Sequence, residues 1–331
     1  MTDSLDVFTL FMFSVIVYSI PLLYGTVGEI MVEKSGSLNL GVEGTMAIGA
    51  VLGYIVGCQA NSLLVAMLVA FIASAAVGAL FSFLTVTLQA NQNVTGLTIT
   101  TFGVALYFFI GNGMGSKWPS LKDAPSLANG FNDIEIPLLS KIPVLGKILF
   151  SHNIMVYLAV IIAVLCWYYL NKTVPGLKLR AIGENPGAAD SLGVKVVLMK
   201  YIHIMVGSGI MGLGGLYMGL NMGGTFEGSN CWINGYGWIA IALVIFVNWS
   251  PSMAIAGTFI FGFFNTLRVY NGSLASTFPN TLGWLADIPA QFFSALPFTI
   301  TLLVLIIDSM RRNKRSGQPA AIGLNYYRED R

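Results

Sequence analysis

Apolar positions run along this chain in about nine long segments, roughly 7–25, 38–57, 62–88, 94–112, 153–171, 201–221, 236–249, 252–270 and 288–307. Most approach the roughly 20 apolar residues that a helix needs to cross a bilayer. From Gly44 to Ser116 there is no Asp, Glu, Lys or Arg at all, which leaves room for three spans. An outer-membrane barrel would instead show segments of about 10 residues with alternating polarity, and that pattern is absent. The pattern predicts an all-α, polytopic membrane bundle.

Two segments are imperfect, and their imperfections correspond. The second opens with the polar run SGSLNLGVEGT and contains Glu43; the seventh is short, and Trp249-Ser250-Pro251 leaves only a tight turn before the eighth. Short or Gly/Pro-interrupted spans mark broken or re-entrant helices beside a substrate path. Their places, around 38–57 and 236–270, hint at an internal repeat.

Composition agrees with the pattern. Hydrophobic residues make up 55% and charged residues 10%, against about 25% charged in soluble domains. The placement of charge sets direction through the positive-inside rule. With the N-terminus outside and the C-terminus inside, 12 of 17 Lys/Arg fall inside: Lys34, five in the stretch 172–200 and six in the tail. The remaining five, Lys117, Lys122, Lys141, Lys147 and Arg268, fall outside. The domain plan is then a membrane domain over 1–310, with a cytosolic loop at 171–200 and an outer loop at 113–151, followed by a basic cytosolic tail at 311–331. The start carries Asp3 and Asp6 without a basic n-region, so no cleavable signal peptide is expected. Cys58, Cys166 and Cys231 make no metal or redox spacing, and count alone gives little ground for a Cys58–Cys231 disulfide.

The outer loop holds Pro119, Pro125, Pro137 and Pro143 and an amphipathic stretch, IPLLSKIPVLGKILF, suited to lie along the membrane surface. It reads equally as a lid over helix ends or as a docking surface for an external partner. The inner loop, KTVPGLKLRAIGENPGAADSLGVKVVLMK over 172–200, is polar and holds a helix-like piece, Asn185 to Leu192, between Gly183 and Gly193. A compact loop pushed into the cytosol points to a contact with something there.

Little in the spans suggests chemistry. Glu43 is an intramembrane carboxylate, a functional hypothesis by default, but Gly41 and Gly44 beside it also permit a structural bond to freed backbone. Glu29 and Glu33 beside Lys34 read most simply as local pairing. Gly49, Gly53 and Gly57, like Gly215, Gly219 and Gly223, give GxxxG spacings that let helices approach closely. The GxGxxG over 207–212 lies inside a span and is discarded as a dinucleotide site; no Walker A sequence occurs. With only His152 and His203 and no Cys/His cluster, a catalytic metal is not expected. Asn39, Thr45, Asn93, Thr95, Thr98, Thr100, Thr101 and Asn221, with Phe226 and Glu227 just beyond, recur along the spans. Such groups serve helix–helix bonding or a neutral polar solute with flat faces. A proton-driven carrier needs several buried ionisable groups, and apart from Glu43 the core offers almost none.

Gly28–Ala50, GEIMVEKSGSLNLGVEGTMAIGA, closely resembles the N-terminal motif of ATP-binding-cassette importer permeases for sugars, nucleosides and branched-chain amino acids, most of all the nucleoside branch. Leu179–Val194, LRAIGENPGAADSLGV, resembles that family's coupling loop, and PAAIGLNYYREDR its C-terminal ending, with Asn325 where proline is expected. The resemblance implies a permease subunit without an ATPase site, in the cytoplasmic membrane of a prokaryote. Its implied partners are a second related permease (a heterodimer), two cytosolic subunits that bind ATP and Mg, an external substrate-binding protein and membrane lipid; nucleic acid is not among them. It implies ATPase coupling through Arg180, Gly183, Glu184, Asn185, Pro186, Ala189, Asp190 and Gly193. The substrate path would draw on Asn39, Glu43, Thr45, Asn93, Thr95, Thr98, Asn221 and Phe226. A ribose-like sugar is the nearest rival substrate, and a self-contained secondary carrier the rival from another class.

Overall fold

The computed structural model describes residues 2–137, 139–140, 142, 144–310 and 317–327. They form helices α1 (Thr2–Glu33), α2 (Val42–Ala60), α3 (Leu63–Ser82), α4 (Gln92–Met114), α5 (Pro125–Phe131), α6 (Leu145–Phe150), α7 (Ile154–Lys172), α8 (Val174–Glu184), α9 (Pro186–Ser191), α10 (Val196–Asn221), α11 (Tyr236–Phe246), α12 (Pro251–Thr277), α13 (Pro279–Leu282) and α14 (Ala290–Met310). Each hydrophobic segment of the sequence holds one principal helix. Among the described residues seven helices are long and apolar enough to cross a membrane, and α11 is a shorter apolar one. The chain is therefore an all-α, multi-pass membrane bundle.

Helix α10 sits at the centre against α1, α2 and α3, and small residues make this possible. A Cβ on Gly28 would stand 2.5 Å from the Gly207 carbonyl oxygen, and one on Gly207 would stand 2.5 Å from that of Gly28. A Cβ on Gly49 would meet the Gly212 Cα at 2.5 Å, and one on Gly215 the Met46 carbonyl at 2.0 Å. With no hydrophobic driving force between helices in lipid, such close backbone approach is what gains dispersion energy. Gly49, Gly53, Gly57, Gly215 and the GxGxxG of 207–212 thus serve helix packing, whereas Gly219 faces the Trp232 ring and Gly223 lies past the end of α10 with nothing near it.

Several helices outrun their sequence-based ends. Helix α1 continues to Glu33, α10 begins at Val196, and α12 runs to Thr277. Arg268, grouped with the outer charges from the sequence, lies within the 252–270 segment and within α12, nine residues before its end.

The outer loop folds over the helix ends. Ala124 and Leu127 are buried in the core. Asn61 Oδ1 accepts from Ser126 N at 2.8 Å, and Tyr54 donates to the Pro119 carbonyl at 3.0 Å. A two-residue pair, β1 (Ile134–Glu135) with β2 (Ser151–His152), closes its base. Of the amphipathic stretch, Leu139, Ile142, Leu145 and Leu149 are exposed, while Leu138, Lys141 and Pro143 lie outside the described residues. The tail cations Arg311, Arg312, Lys314, Arg315, Arg328 and Arg331 lie outside them as well. All three cysteines are free, with Cys58 and Cys166 buried.

Candidate functional site

Two interrupted elements meet at Glu43. Helix α2 starts at Val42 after a non-helical stretch, and α11 starts at Tyr236 after a longer one that follows α10. The Glu43 Oε1 accepts from Gly235 N and its Oε2 from Gly237 N, each at 2.7 Å. A Cβ on Gly237 would stand 2.4 Å from the Glu43 nitrogen, so only glycine permits this approach. One carboxylate thereby answers the unpaired N–H groups of the α11 start and lies in the first turn of α2, where the dipoles of both helices favour negative charge. The helices leave this point toward opposite ends: α2 toward the outer-loop segment, α11 toward the turn at Asn248 and Trp249.

The stretch before α11 is held by aromatic side chains. Trp232 packs edge-on against Tyr54, Tyr107 and Trp118, with ring centroids 5.2, 5.5 and 5.7 Å away. Phe226 lies 5.0 Å from Trp118, whose Nε1 donates to the Gly224 carbonyl at 2.8 Å. Of the stretch 222–235, Gly224, Trp232 and Ile233 are buried and the rest is half-buried or exposed.

On the other side of Glu43 lies a buried polar layer. Asn39 Nδ2 donates to Glu29 Oε2 at 3.1 Å, and its Oδ1 accepts from Gly41 N at 2.8 Å. Glu33 accepts from Trp249 Nε1. Asn248 and Trp249 both take positive φ, 52° and 53°, forming the tight turn into α12.

At this end the basic stretches converge. Lys34 Nζ donates to the Gly317 carbonyl at 2.6 Å, and burial holds its ammonium below the usual lysine range. Ala321 N donates to the Gly183 carbonyl at 2.9 Å, and a Cβ on Gly183 would stand 2.5 Å from the Lys34 carbonyl oxygen. The inner loop holds two helices, where the sequence suggested one. Thr173 caps α8 by accepting from Gly176 N at 3.2 Å, and Asn185 caps α9 by accepting from Ala188 N at 3.0 Å. Ala189 is buried with Ile182 and Val196, and Tyr326 donates to Asp190 at 2.8 Å. Gly193 takes φ +81° where the chain leaves α9. Asn325 donates to the Gln89 carbonyl at 2.6 Å, a bond proline has no side chain to make. Arg180 is half-buried; Glu184 and Asn185 are exposed, and Pro186 begins α9.

The path residues named from sequence do not form one cluster. Asn39, Glu43 and Thr45 belong to the junction, and Thr45 donates to the Gly41 carbonyl at 2.8 Å. Asn93 and Thr98 are exposed on the first turns of α4, and Thr95 is buried there. Thr95 and Thr98 each donate back to a carbonyl of the preceding turn at 2.8 Å. Asn221 is at the far end of α10, and Phe226 in the aromatic group. Sequence reading passed over Gly235, Gly237 and Trp232. The glycine pair flanking the short seventh segment was the available signal.

The family model described as branched-chain amino acid transport system / permease component matches residues 11–305, so the chain belongs to that permease family, whose members serve as transport components. Similar proteins include the nucleoside ABC transporter permease of Lactococcus lactis, 31% identical over 95% of each chain. The guanosine ABC transporter permease of Bacillus subtilis is 33% identical, over 92% of this chain and 93% of its own. A putative glucose ABC transporter permease of Haloferax volcanii is 30% identical, over 93% and 94%. No solved structure matches.

Proposed function

We propose that this chain is the membrane permease of an ATP-driven importer that moves nucleosides across the cytoplasmic membrane of a prokaryote by alternating access. The observation that carries the reading is the α8–α9 unit: it is anchored through Gly183 and Asp190 to the end of α1 and to the tail, yet presents Glu184, Asn185 and Leu192 outward. Cytosolic ATPase subunits, which bind the ATP and Mg, would seat this unit, and their closure would move it as a body. The motion reaches the ends of α1 and α11 through Lys34 and the Glu33–Trp249 bond, and from there the Glu43 junction. Two packed arrangements of such elements are what alternating access requires. In this reading Lys34, 172–200 and the tail face the cytosol, and the outer loop faces the external binding protein. A second related permease completes the pair. Nucleosides are favoured over sugars because two of the three relatives above are named for them, while the glucose relative keeps a sugar as the second reading.

Uptake of radiolabelled uridine, adenosine and ribose into vesicles holding the whole importer tests this, with and without ATP. ATP-dependent uptake of nucleosides but not ribose supports it. Uptake indifferent to ATP sinks the importer reading and brings a secondary carrier forward.

A further inference from the structure

Behind the first turn of α11, away from Glu43, lies a cavity of about 380 Å³ between α1, α11, α12 and α14. That volume suits a small solute, at the low end of the roughly 300–1,000 Å³ usual for such sites. Its walls divide into two kinds. Trp238, Phe261, Phe293 and Phe298 supply flat apolar faces, while Asn234, Tyr236, Asn265 and Arg268 supply polar groups. Asn265 donates to the Tyr236 hydroxyl, which fixes both side chains.

Arg268 makes this cavity more than a packing defect. Phe261, Asn265 and Arg268 recur at helical spacing along one side of α12. Among the described residues no hydrogen bond or ion pair reaches Arg268, and its side chain is exposed. Arg268 lies within α12, nine residues before its end, and ionisable residues within spans mark solute pathways. Trp238 and Asn234 are exposed on the same side. Aromatic faces beside an uncompensated cation and amides suit an uncharged solute with one flat π-face and several oxygen acceptors. Carbonyl and hydroxyl oxygens accept from a guanidinium, and a heterocyclic base stacks on indole.

We infer that this cavity is the permease's nucleoside site, with the base stacked on Trp238 and its oxygens or the ribose hydroxyls bonded by Arg268 and Asn265. The inference rests on the nucleoside reading above and assigns it residues. Because Gly235 belongs to both the cavity wall and the Glu43 junction, a shift of α11 changes the site's shape.

The test uses the whole importer in proteoliposomes, with labelled uridine and ribose, and follows ATP hydrolysis stimulated by the loaded binding protein. Trp238→Ala is expected to lower uridine uptake about tenfold or more, the scale of lost base–aromatic stacking, with stimulated hydrolysis retained; Trp238→Phe stays within about threefold. A second arm uses Asn234→Cys, at an exposed lining position that the proposal leaves without a bond to the solute, with uridine expected to slow its modification by a thiol reagent. This arm decides even if Trp238→Ala does not assemble. Nucleoside import by the unaltered protein, with normal uptake in Trp238→Ala and no protection at Asn234→Cys, overturns the site alone. Import of ribose without uridine overturns the nucleoside reading and the ligand class together.

Discussion

Glu43 accepts its two backbone bonds from residues 192 and 194 positions later, so substituting it tests both halves of the chain at once. Glu43→Gln keeps one oxygen acceptor and turns an amide donor toward the other N–H. A buried donor left unmatched costs about 1–3 kcal/mol, so we expect the melting temperature in detergent to fall by a few degrees and uptake to fall with it. An unchanged melting temperature would show that the junction is not held by this carboxylate. Gly183 and Glu184 separate in the same manner. Gly183→Val drives a side chain into the Lys34 carbonyl and Pro319 and is expected to lose assembly. Glu184→Ala, at an exposed position, keeps the fold while ATP-dependent uptake drops relative to ATP hydrolysis. Equal uptake per ATP in Glu184→Ala and the unaltered protein removes that residue from coupling. The sequence marked Glu43 because a carboxylate in a span is costly, but its partners were hidden by distance along the chain. Arg268 was already inside the 252–270 segment, and what the sequence did not show is that α12 carries on past it to Thr277.

Whole elements were the most legible feature, since about 20 apolar residues announce a span whatever it packs against. The break before α11 showed only as a short segment. What makes it a break is the convergence on Glu43 and the Trp232 aromatic group, both long-range. Helix α8 went unseen because the inner loop was read as polar throughout, although Gly176, Leu179, Ile182 and Gly183 recur at helical spacing and Thr173 and Pro175 form a start signal. The outer β1–β2 pair offers a pH test. His152 is buried, stacked on Phe13 at 4.3 Å, and its Nε2 bonds the Ile148 carbonyl at 2.7 Å while Nδ1 has no partner. Burial lowers its pKa from 6.5, opposed by the Ile148 bond and by Asp133. The unfolded chain then binds the proton first, so stability falls as pH drops from about 6.5 toward the folded value. Asp133, raised by burial, works in the opposite sense in the lower carboxylate range. Melting curves from about pH 8 to about pH 5 are expected to slope downward in the unaltered protein and to flatten in His152→Phe. Parallel curves would place the acid sensitivity elsewhere.

At the scale of the whole molecule, Lys34, the α8–α9 unit and residues 317–327 are bound together at one end of the bundle, and the folded outer loop covers the other. Charge counting assigns the first end to the cytosol, and hydrogen bonds join the same segments independently. A membrane-impermeant thiol reagent decides the orientation. Lys122→Cys, exposed in the outer loop, is expected to react in intact cells, and Ser191→Cys, exposed on α9, only after the membrane is opened. The reverse result would place α8 and α9 where no ATPase could reach them, and coupling through them would fail however well the fold stood. The expected result would put the Glu43 junction between an ATP-driven unit on one side and the packed Trp232 aromatic group on the other, so that motion of the unit reaches the outer end through one buried carboxylate.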